Sequence, residues 1–253
     1  MNILVVNDDG IKSTGIMALV EALSNVADVY VCAPEGQRSG NSQSITIGKT
    51  VYVKPVDFPG AMGALETTGT PADCAKIGIQ FFKEEGNPID MVYAGINLGS
   101  NLGKDTLYSG TVGAALEGAV SGIHSVAVSV DSHQASHFDV ACEMAIDVID
   151  FVLHKTTVNT VLNINVPDLP REEIKGIRYT SLGSRYYIDK FDEQEDGGFI
   201  LEGEPTDLTD ISKDLDVTAT NDGYASITPL QFDYTEHEMI DTVSKWGLTI
   251  RKE

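Results

Sequence analysis

Residues 2–10 read NILVVNDDG, a short apolar run followed at once by polar side chains and a glycine. An apolar run of this length is typical of a strand that is buried on both faces of a parallel sheet. In open sheets of this kind, ligands bind beyond the carboxyl ends of the strands. The stretch therefore predicts a first strand over Asn2–Val6 that delivers Asp8 and Asp9 to a binding site.

The same pattern continues outward as strands that alternate with helices up to residue 166. Apolar runs predict strands over Val29–Cys32, Met91–Ala94, Ser125–Val130 and Val161–Val166. Helical spacing or small-residue runs predict helices over Ile16–Leu23, from Thr70 onward, over Val112–Val120 and over Val140–Phe151. Thr70 is a typical cap, with proline at the first helical position and Asp73 three residues on. The repeated order predicts an α/β fold, a Rossmann-like and mainly parallel sheet with helices on both faces.

The regular alternation of predicted strands and helices ends at Pro167. Strand-like pieces, Ile177–Thr180 and Tyr224–Ile227, surround an acidic stretch, and a last helix is predicted near His237–Lys245. The acidic stretch, Asp189–Asp216, holds 11 acids and two lysines, a net charge of −9, and is predicted to be a solvated loop or arm. We expect residues 167–253 to be a β-rich C-terminal extension of the 1–166 catalytic core and not an independent domain.

Composition excludes several classes of protein. The chain has 253 residues with 38 acids against 17 bases, and the net charge of −21 argues against nucleic-acid polymers as partners. No apolar run approaches the roughly 20 residues that span a bilayer, so no membrane association is expected, and the N-terminus does not resemble a signal peptide. Three cysteines without CxxC spacing favour buried thiols in a reducing compartment. These features predict a cytoplasmic protein.

Three polar clusters follow predicted strands: Asn7–Gly10, Arg38–Asn41 and Asn97–Lys104. Adjacent carboxylates repel each other unless a positive charge neutralises them. A cation bound by Asp8 and Asp9 would supply that charge. The Ser39 hydroxyl and the Asn97 carbonyl could complete an all-oxygen set, which favours magnesium, manganese or calcium over zinc. The alternative is that Asp8 or Asp9 merely caps a helix or turn, because Asp-Gly is an ordinary turn dipeptide.

Ser109, Gly110 and Thr111 stand directly before a helix-compatible run of small residues. Such a helix start offers free amides and hydroxyls to a phosphate, and the alternative is plain capping by Ser109 or Thr111. The glycines of the GINLGSNLG segment do not form a GxGxxG fingerprint, and the P-loop and G-x-S-x-G motifs are absent from the sequence. The five histidines show no metal-ligand spacing and are treated as non-catalytic.

Seven segments, in this order, together resemble the SurE family of survival-protein nucleotidases along nearly the whole chain. They are ILVVNDDGI, APEGQRSGNSQSIT, GTPADCAKIGI, DMVYAGINLGSNLG, YSGTVGAALEG, LNINVP and YASITPLQFDYT. The resemblance implies a metal-dependent phosphatase that hydrolyses nucleoside 5′- and 3′-monophosphates and sometimes short polyphosphate. The Lys12-Ser13-Thr14 run departs from the family, which often has a proline there, and this touches only the start of the first helix.

The resemblance also assigns site residues by position. It implies that one divalent cation per subunit, Mg²⁺ or Mn²⁺, is held by Asp8, Asp9, Ser39 and Asn97, with Asp8 and Asp9 as the catalytic pair. It implies phosphate or substrate contacts from Gly40, Asn41, Asn101, Ser109, Gly110 and Thr111. The cation would polarise a phosphoryl oxygen and activate the water that attacks phosphorus, and attack by an Asp8 carboxylate is the alternative.

Two other functions are weighed against this one. A haloacid-dehalogenase-type phosphatase also begins with a strand and an aspartate, but it requires a DxDx[TV] run, and NDDGI has adjacent acids. A catalytically silent nucleotide-binding or assembly protein would not need every ligand type that the chain retains. The predicted enzyme is therefore a 5′-nucleotidase, a phosphoric monoester hydrolase.

The C-terminal segment predicts self-association. It carries large apolar side chains that are unfavourable in water, namely Phe232, Tyr234, Met239, Ile240, Val243 and Trp246. A second copy of the chain can bury them, and two-fold symmetry is the commonest arrangement. The resemblance implies a homodimer or homotetramer that exchanges C-terminal elements, and we expect the segment Pro229–Trp246 to cross to a neighbour.

Overall fold

Eleven strands and seven α-helices are present in the computed structural model, which describes residues 1–207 and 212–250. The strands are β1 Asn2–Val6, β2 Asp28–Pro34, β3 Val53–Pro55, β4 Gly63–Thr67, β5 Met91–Leu98, β6 His124–Val130, β7 Thr160–Val166, β8 Ile177–Tyr179, β9 Arg185–Glu193, β10 Phe199–Asp207 and β11 Ala225–Gln231. The helices are α1 Thr14–Leu23, α2 Pro71–Glu84, α3 Gly110–Val120, α4 Asp139–Asp147, α5 Ile149–Lys155, α6 Asp216–Asn221 and α7 His237–Ser244.

Nine of the strands form one sheet in the order β3-β4-β2-β1-β5-β6-β7-β11-β8. The six strands from β4 to β7 run parallel to one another. Antiparallel pairing occurs where β3 meets β4 and where β11 meets β7. The predicted mainly parallel α/β sheet is therefore confirmed.

The first strand lies near the centre of this sheet. It pairs with β2 on one side, where Ile3 is opposite Val29, and with β5 on the other, where Val5 is opposite Tyr93. Residues 3–6 are fully buried, as expected for a strand covered on both faces. Because parallel strands end at the same edge, the polar segments after β1, β2 and β5 are brought together there.

Helices cover both faces of the sheet. The core on one face includes Ile16 of α1 and Met144 of α4, and the core on the other includes Cys74 of α2 and Val112 of α3. Helix α2 begins as predicted, with Thr70 as its cap, and the reciprocal Thr70–Asp73 hydrogen bonds form a capping box. The helix predicted over residues 140–151 is instead two short helices, α4 and α5.

The C-terminal extension contributes to the main sheet and also forms a separate hairpin. Strand β11 pairs with β7, and β8 pairs with β11, so both continue the sheet of residues 1–166. Most of the predicted acidic loop or arm, Asp189–Asp216, is a two-stranded antiparallel hairpin of β9 and β10, and its residues 208–211 lie outside the described residues. Within residues 1–207 and 212–250, no helix is long and apolar enough to cross a bilayer.

Candidate active site

The two adjacent carboxylates follow β1 in the middle of the sheet. Asp8 is buried, with 6% of its surface exposed, and Asp9 is partly buried. Burial, with a further contribution from the charge of Asp9, raises the pKa of Asp8 to about 6, although a hydrogen bond from Thr111 opposes this. Burial also raises the pKa of Asp9. The pair is thus a site of concentrated negative charge that a cation would relieve.

Hydrogen bonds from two different segments fix the orientation of these carboxylates. The Thr111 hydroxyl donates to Asp8 Oδ1, and the Leu98 backbone N–H donates to Asp9 Oδ2 at 3.0 Å. Gly110 must lack a side chain, because a Cβ there would lie 2.9 Å from both Cβ and Oδ2 of Asp8. The start of α3 and the end of β5 therefore set the geometry of the pair.

The raised pKa of Asp8 gives a stability prediction for the metal-free protein. Between the ordinary pKa of 3.8 and the folded-state value of about 6, the folded chain keeps a proton that the unfolded chain has lost. Ionising Asp8 therefore costs more in the folded chain than in the unfolded chain, and it lowers the free energy of unfolding progressively as pH rises from about 4 to about 6. Asp8→Asn removes this cost, so the variant should be more stable than wild type above pH 6, by up to about 3 kcal/mol.

Urea unfolding of both proteins in chelator, at pH 4 and at pH 7.5, measures this difference. The gain in unfolding free energy should be present at pH 7.5 and should largely disappear at pH 4. An equal gain at both pH values would show that the ionisation of Asp8 is not its cause.

Ser39 lies on the loop that follows β2 and is held against the site by backbone contacts. Arg38 N donates to the Asp8 carbonyl at 2.7 Å, and Ser42 N donates to the Tyr108 carbonyl at 2.9 Å. The Asn41 side chain donates to the Arg38 carbonyl at 2.6 Å, so it braces the loop from within. These bonds place Ser39 at the same edge as Asp8.

Asn97 lies near the end of β5, where the pairing register with β6 shifts after Ala94. Its Nδ2 donates to the Gly99 carbonyl at 2.7 Å, which identifies Oδ1 as the atom turned away from that carbonyl. The amide is thus oriented by its own chain and presents an oxygen acceptor.

Asn101 is fixed by a buried polar network that the sequence analysis did not identify. Its N–H donates to Asn165 Oδ1 at 2.7 Å, and its carbonyl accepts from Asn163 at 2.8 Å and from Asn165 at 3.1 Å. Its side chain donates to the Ser129 hydroxyl at 2.8 Å. The alternating asparagines of the buried strand β7, in the segment LNINV, are the sequence signal that could have revealed these residues.

Ser109 is the N-cap of α3. Its hydroxyl accepts from Val112 N at 3.0 Å, so the capping alternative considered from the sequence is realised for this residue. Thr111 is fully buried, and its hydroxyl is directed to Asp8. The start of α3 therefore touches the site through the Ser109 cap and through the Thr111–Asp8 contact.

One open cavity of about 1000 Å³ collects most of the predicted site residues. Of these, its lining includes Asp8, Asp9, Ser39, Gly40, Asn97, Asn101 and Ser109. Gly110 and Thr111 are not in the lining but lie against Asp8, and Asn41, also outside it, donates to Arg38, the neighbour of Ser39.

Several further residues in the lining were not assigned from the sequence. His133 Nδ1 lies 3.1 Å from the Leu98 carbonyl oxygen, and the charge of this histidine lowers the pKa of Asp9. Tyr108 and Leu107 precede the Ser109 cap, and Leu201 comes from the β9–β10 hairpin. Among the described residues there is no cluster of three or more His, Cys, Asp or Glu that could hold a metal, so a cation here would need serine or asparagine oxygens.

Comparisons with known proteins agree with the resemblance noted from the sequence. A family model described as survival protein SurE matches residues 3–189. The 5′-nucleotidase SurE of Heliobacterium modesticaldum is 42% identical over 97% of this chain and 92% of its own length. The 5′/3′-nucleotidase SurE of Cronobacter sakazakii is 41% identical over 97% and 96%. A crystal structure of the SurE protein from Aquifex aeolicus superposes with a TM-score of 0.82 at 35% identity, covering 96% of this chain and 98% of that one. The chain belongs to the SurE family.

Proposed function

We propose that the chain hydrolyses nucleoside 5′- and 3′-monophosphates to nucleoside and phosphate, using one divalent cation per subunit. Its relatives at 41–42% identity are named nucleotidases, and membership of their family makes this chain a 5′-nucleotidase. The cation, the 3′ activity and an activity on short polyphosphate are the finer parts of the proposal. The observation that carries it is the convergence of Asp8, Asp9, Ser39 and Asn97 on one cavity.

The donor set suits a hard divalent cation. Asp8 and Asp9 supply carboxylate oxygens, Ser39 a hydroxyl and Asn97 an amide oxygen, and oxygen ligands of this kind favour Mg²⁺ or Mn²⁺. The raised pKa of Asp8 indicates that the buried pair needs a compensating positive charge. When bound, the cation supplies Lewis-acid polarisation of the phosphoryl group and activation of water.

The chain's own residues would bind and orient the phosphate. Asn101 lies in the cavity and is held rigidly by β6 and β7, so its side chain can serve as a fixed polar contact. The start of α3 reaches the same cavity through Ser109, and a helix N-terminus favours negative charge. Thr111 holds Asp8 in place through its hydroxyl. These groups stabilise charge on the phosphoryl oxygens by positioning and electrostatics.

A phosphate-release assay over a nucleotide panel tests this function. The panel contains the 5′- and 3′-monophosphates of each nucleoside and a short polyphosphate, each assayed with Mg²⁺ and with Mn²⁺. We expect release from both the 5′- and the 3′-monophosphates. Binding of AMP without any release from the panel would indicate a silent nucleotide-binding protein.

Substitutions at the start of α3 test phosphate recognition. Ser109→Ala and Thr111→Ala should each lower kcat/KM by about 5- to 100-fold, because each removes a polar contact within or next to a charged site. Ser121→Ala, at the other end of the same helix, is the matched control and should behave as wild type. Inorganic phosphate or vanadate should compete with substrate. Wild-type kinetics in both variants would show that Ser109-Gly110-Thr111 only caps the helix and does not bind phosphate.

We also propose that the chain is a homodimer or homotetramer. The apolar side chains of the C-terminal segment stand in water in the isolated chain, with Ile240 of α7 at 52% and Trp246 at 62% exposure. The crossing segment predicted to start at Pro229 needs one correction: Pro229 pairs with Leu162 inside the main sheet, and Phe232 packs partly on the core. The segment available to a neighbour therefore begins after Phe232.

The cytoplasm is the compartment that we propose for the chain. The supporting observation is that Cys32, Cys74 and Cys142 are all free thiols, and the first two are buried. Thiols without disulfide partners fit a reducing environment.

A further inference from the structure

Asp216 is a fully buried carboxylate in the C-terminal extension, at the first position of α6. Its two oxygens accept three backbone N–H groups. Oδ2 accepts from Gly103 at 2.8 Å, and Oδ1 accepts from Gly183 at 2.7 Å and from Val217 at 2.8 Å. A buried carboxylate is tolerated only where donors compensate it, so these bonds are strong determinants of the local structure.

The three donors belong to segments that are far apart in the sequence. Gly103 begins the 3-10 turn Gly103–Leu107, and Leu107 and the following Tyr108 line the cavity. Gly183 stands two residues before β9, at the base of the hairpin. Asp216 N also donates to the Ser181 carbonyl at 3.0 Å, which reinforces the attachment of that base. A single side chain therefore joins the cavity turn to the base of the hairpin.

The hairpin takes part in the cavity. Strand β9 contacts the 3-10 turn, and β10 contributes Leu201 and Gly203 to the lining. Leu107, Tyr108 and Leu201 are exposed at 52%, 68% and 56%, so they present apolar surface to whatever enters. Such surface suits the flat, largely apolar faces of a nucleobase, whereas the amide groups of the cavity suit phosphate.

We propose that Asp216 is a positioning residue that holds the β9–β10 hairpin against the turn Gly103–Leu107, making the hairpin a wall for the nucleoside part of the substrate. This inference rests on the proposed nucleotidase function. The phosphate end does not depend on Asp216 in the same way, because Asp8 follows β1 and Asn101 is anchored to β6 and β7. Loss of Asp216 should therefore weaken recognition of the nucleoside more than reaction at phosphorus.

Gly183 provides a second way to disturb the same contact. A Cβ at this position would lie 3.1 Å from Asp216 Oδ1 and 3.0 Å from Val217 Cγ2. Gly183→Ala thus pushes on the carboxylate while leaving its charge in place. Leu201→Ala removes apolar surface from the wall itself and leaves the hydrogen bonds of Asp216 untouched.

The test compares AMP with glycerol 2-phosphate, a small phosphomonoester without a nucleoside or any aromatic ring, as substrates of the full-length chain. Asp216→Asn replaces an acceptor oxygen by an amide that faces a backbone donor, so KM for AMP should rise about tenfold. Gly183→Ala and Leu201→Ala should raise the same KM by smaller factors. For all three variants, kcat/KM for glycerol 2-phosphate should change less than about threefold, because this substrate has no ring to contact the wall. Asp214→Asn, an exposed acid two residues away, makes the same charge change and should match wild type.

An unchanged KM for AMP in folded Asp216→Asn, or an equal loss on both substrates, would overturn the inference. If Asp216→Asn does not fold, Gly183→Ala and Leu201→Ala test the inference instead. Wild-type KM values for AMP in both of these variants would also overturn the inference. A wild-type chain that releases phosphate from neither substrate would instead contradict the proposed function, so the two failures are distinguishable.

Discussion

Asp8→Asn and Asp9→Asn should each reduce phosphate release from AMP by at least about a thousandfold, because each removes several kcal/mol of electrostatic stabilisation from the transition state. Each variant loses one of two carboxylates that the proposed cation needs, and an amide oxygen is a weaker ligand for a hard cation. The fold should persist, since the pair sits beyond the end of β1 and contributes repulsion rather than packing.

Two measurements besides turnover sharpen this expectation. Calorimetric titration with Mn²⁺ should show binding to wild type and strongly weakened binding to both variants, while circular dichroism shows the same secondary structure. Asp131→Asn, which removes a charge from the lining of the same cavity, is the matched control and should keep most of its activity. Near-wild-type turnover in Asp8→Asn would contradict the assignment of the ligand set.

Deleting residues 236–253 should have the largest effect on assembly. The deletion removes α7 and the exposed apolar side chains Met239, Ile240, Val243 and Trp246, which we propose are buried by a neighbouring copy. Light scattering should report at least a dimer for the full chain and a shift to smaller, less soluble species after the deletion. The site residues remain physically present in the shortened chain.

A point substitution tests whether the apolar side chains themselves, rather than the presence of the whole segment, hold the assembly together. Ile240→Asp should also shift the full-length chain toward smaller species, whereas Glu238→Ala, on the same helix, should not. A stable monomer of the full chain at micromolar concentration would contradict the assembly proposal.

The core of the fold was predictable because its signals are local. Residues 2–6 form a buried strand as the apolar run indicates, and α2 begins at the predicted Thr70 cap. The SurE resemblance is confirmed by a family match over residues 3–189. Strands β3 and β4 were missed because they are short and depend on pairing, β4 with β2, a partner distant in the sequence, and β3 with β4.

The hairpin β9–β10 was missed for a related reason. Its acidic composition is typical of a solvated loop, and the two strands are stabilised by pairing with each other rather than by an apolar face.

The residues that hold the site in place were the least predictable. Asp8, Asp9 and Asn101 could be singled out from motifs in the sequence. The asparagines of β7 are conspicuous in an apolar strand, but their contact with Asn101 could not be predicted, because it spans more than 60 residues. Asp216 was counted within an acidic stretch, although it is buried and contacts Gly103 across 113 positions. A sequence shows which residue types are present, whereas burial and long-range pairing decide which of them are structural.

A nucleotidase that depends on a divalent cation at Asp8 and Asp9 must lose and regain turnover with its metal, and one assay measures this. Phosphate release from AMP is measured with Mn²⁺, again after removal of the metal with excess chelator, and a third time after Mn²⁺ or Mg²⁺ is returned to the dialysed protein. We expect turnover in the first measurement, none in the second and recovery in the third. Full activity in the presence of chelator would contradict it.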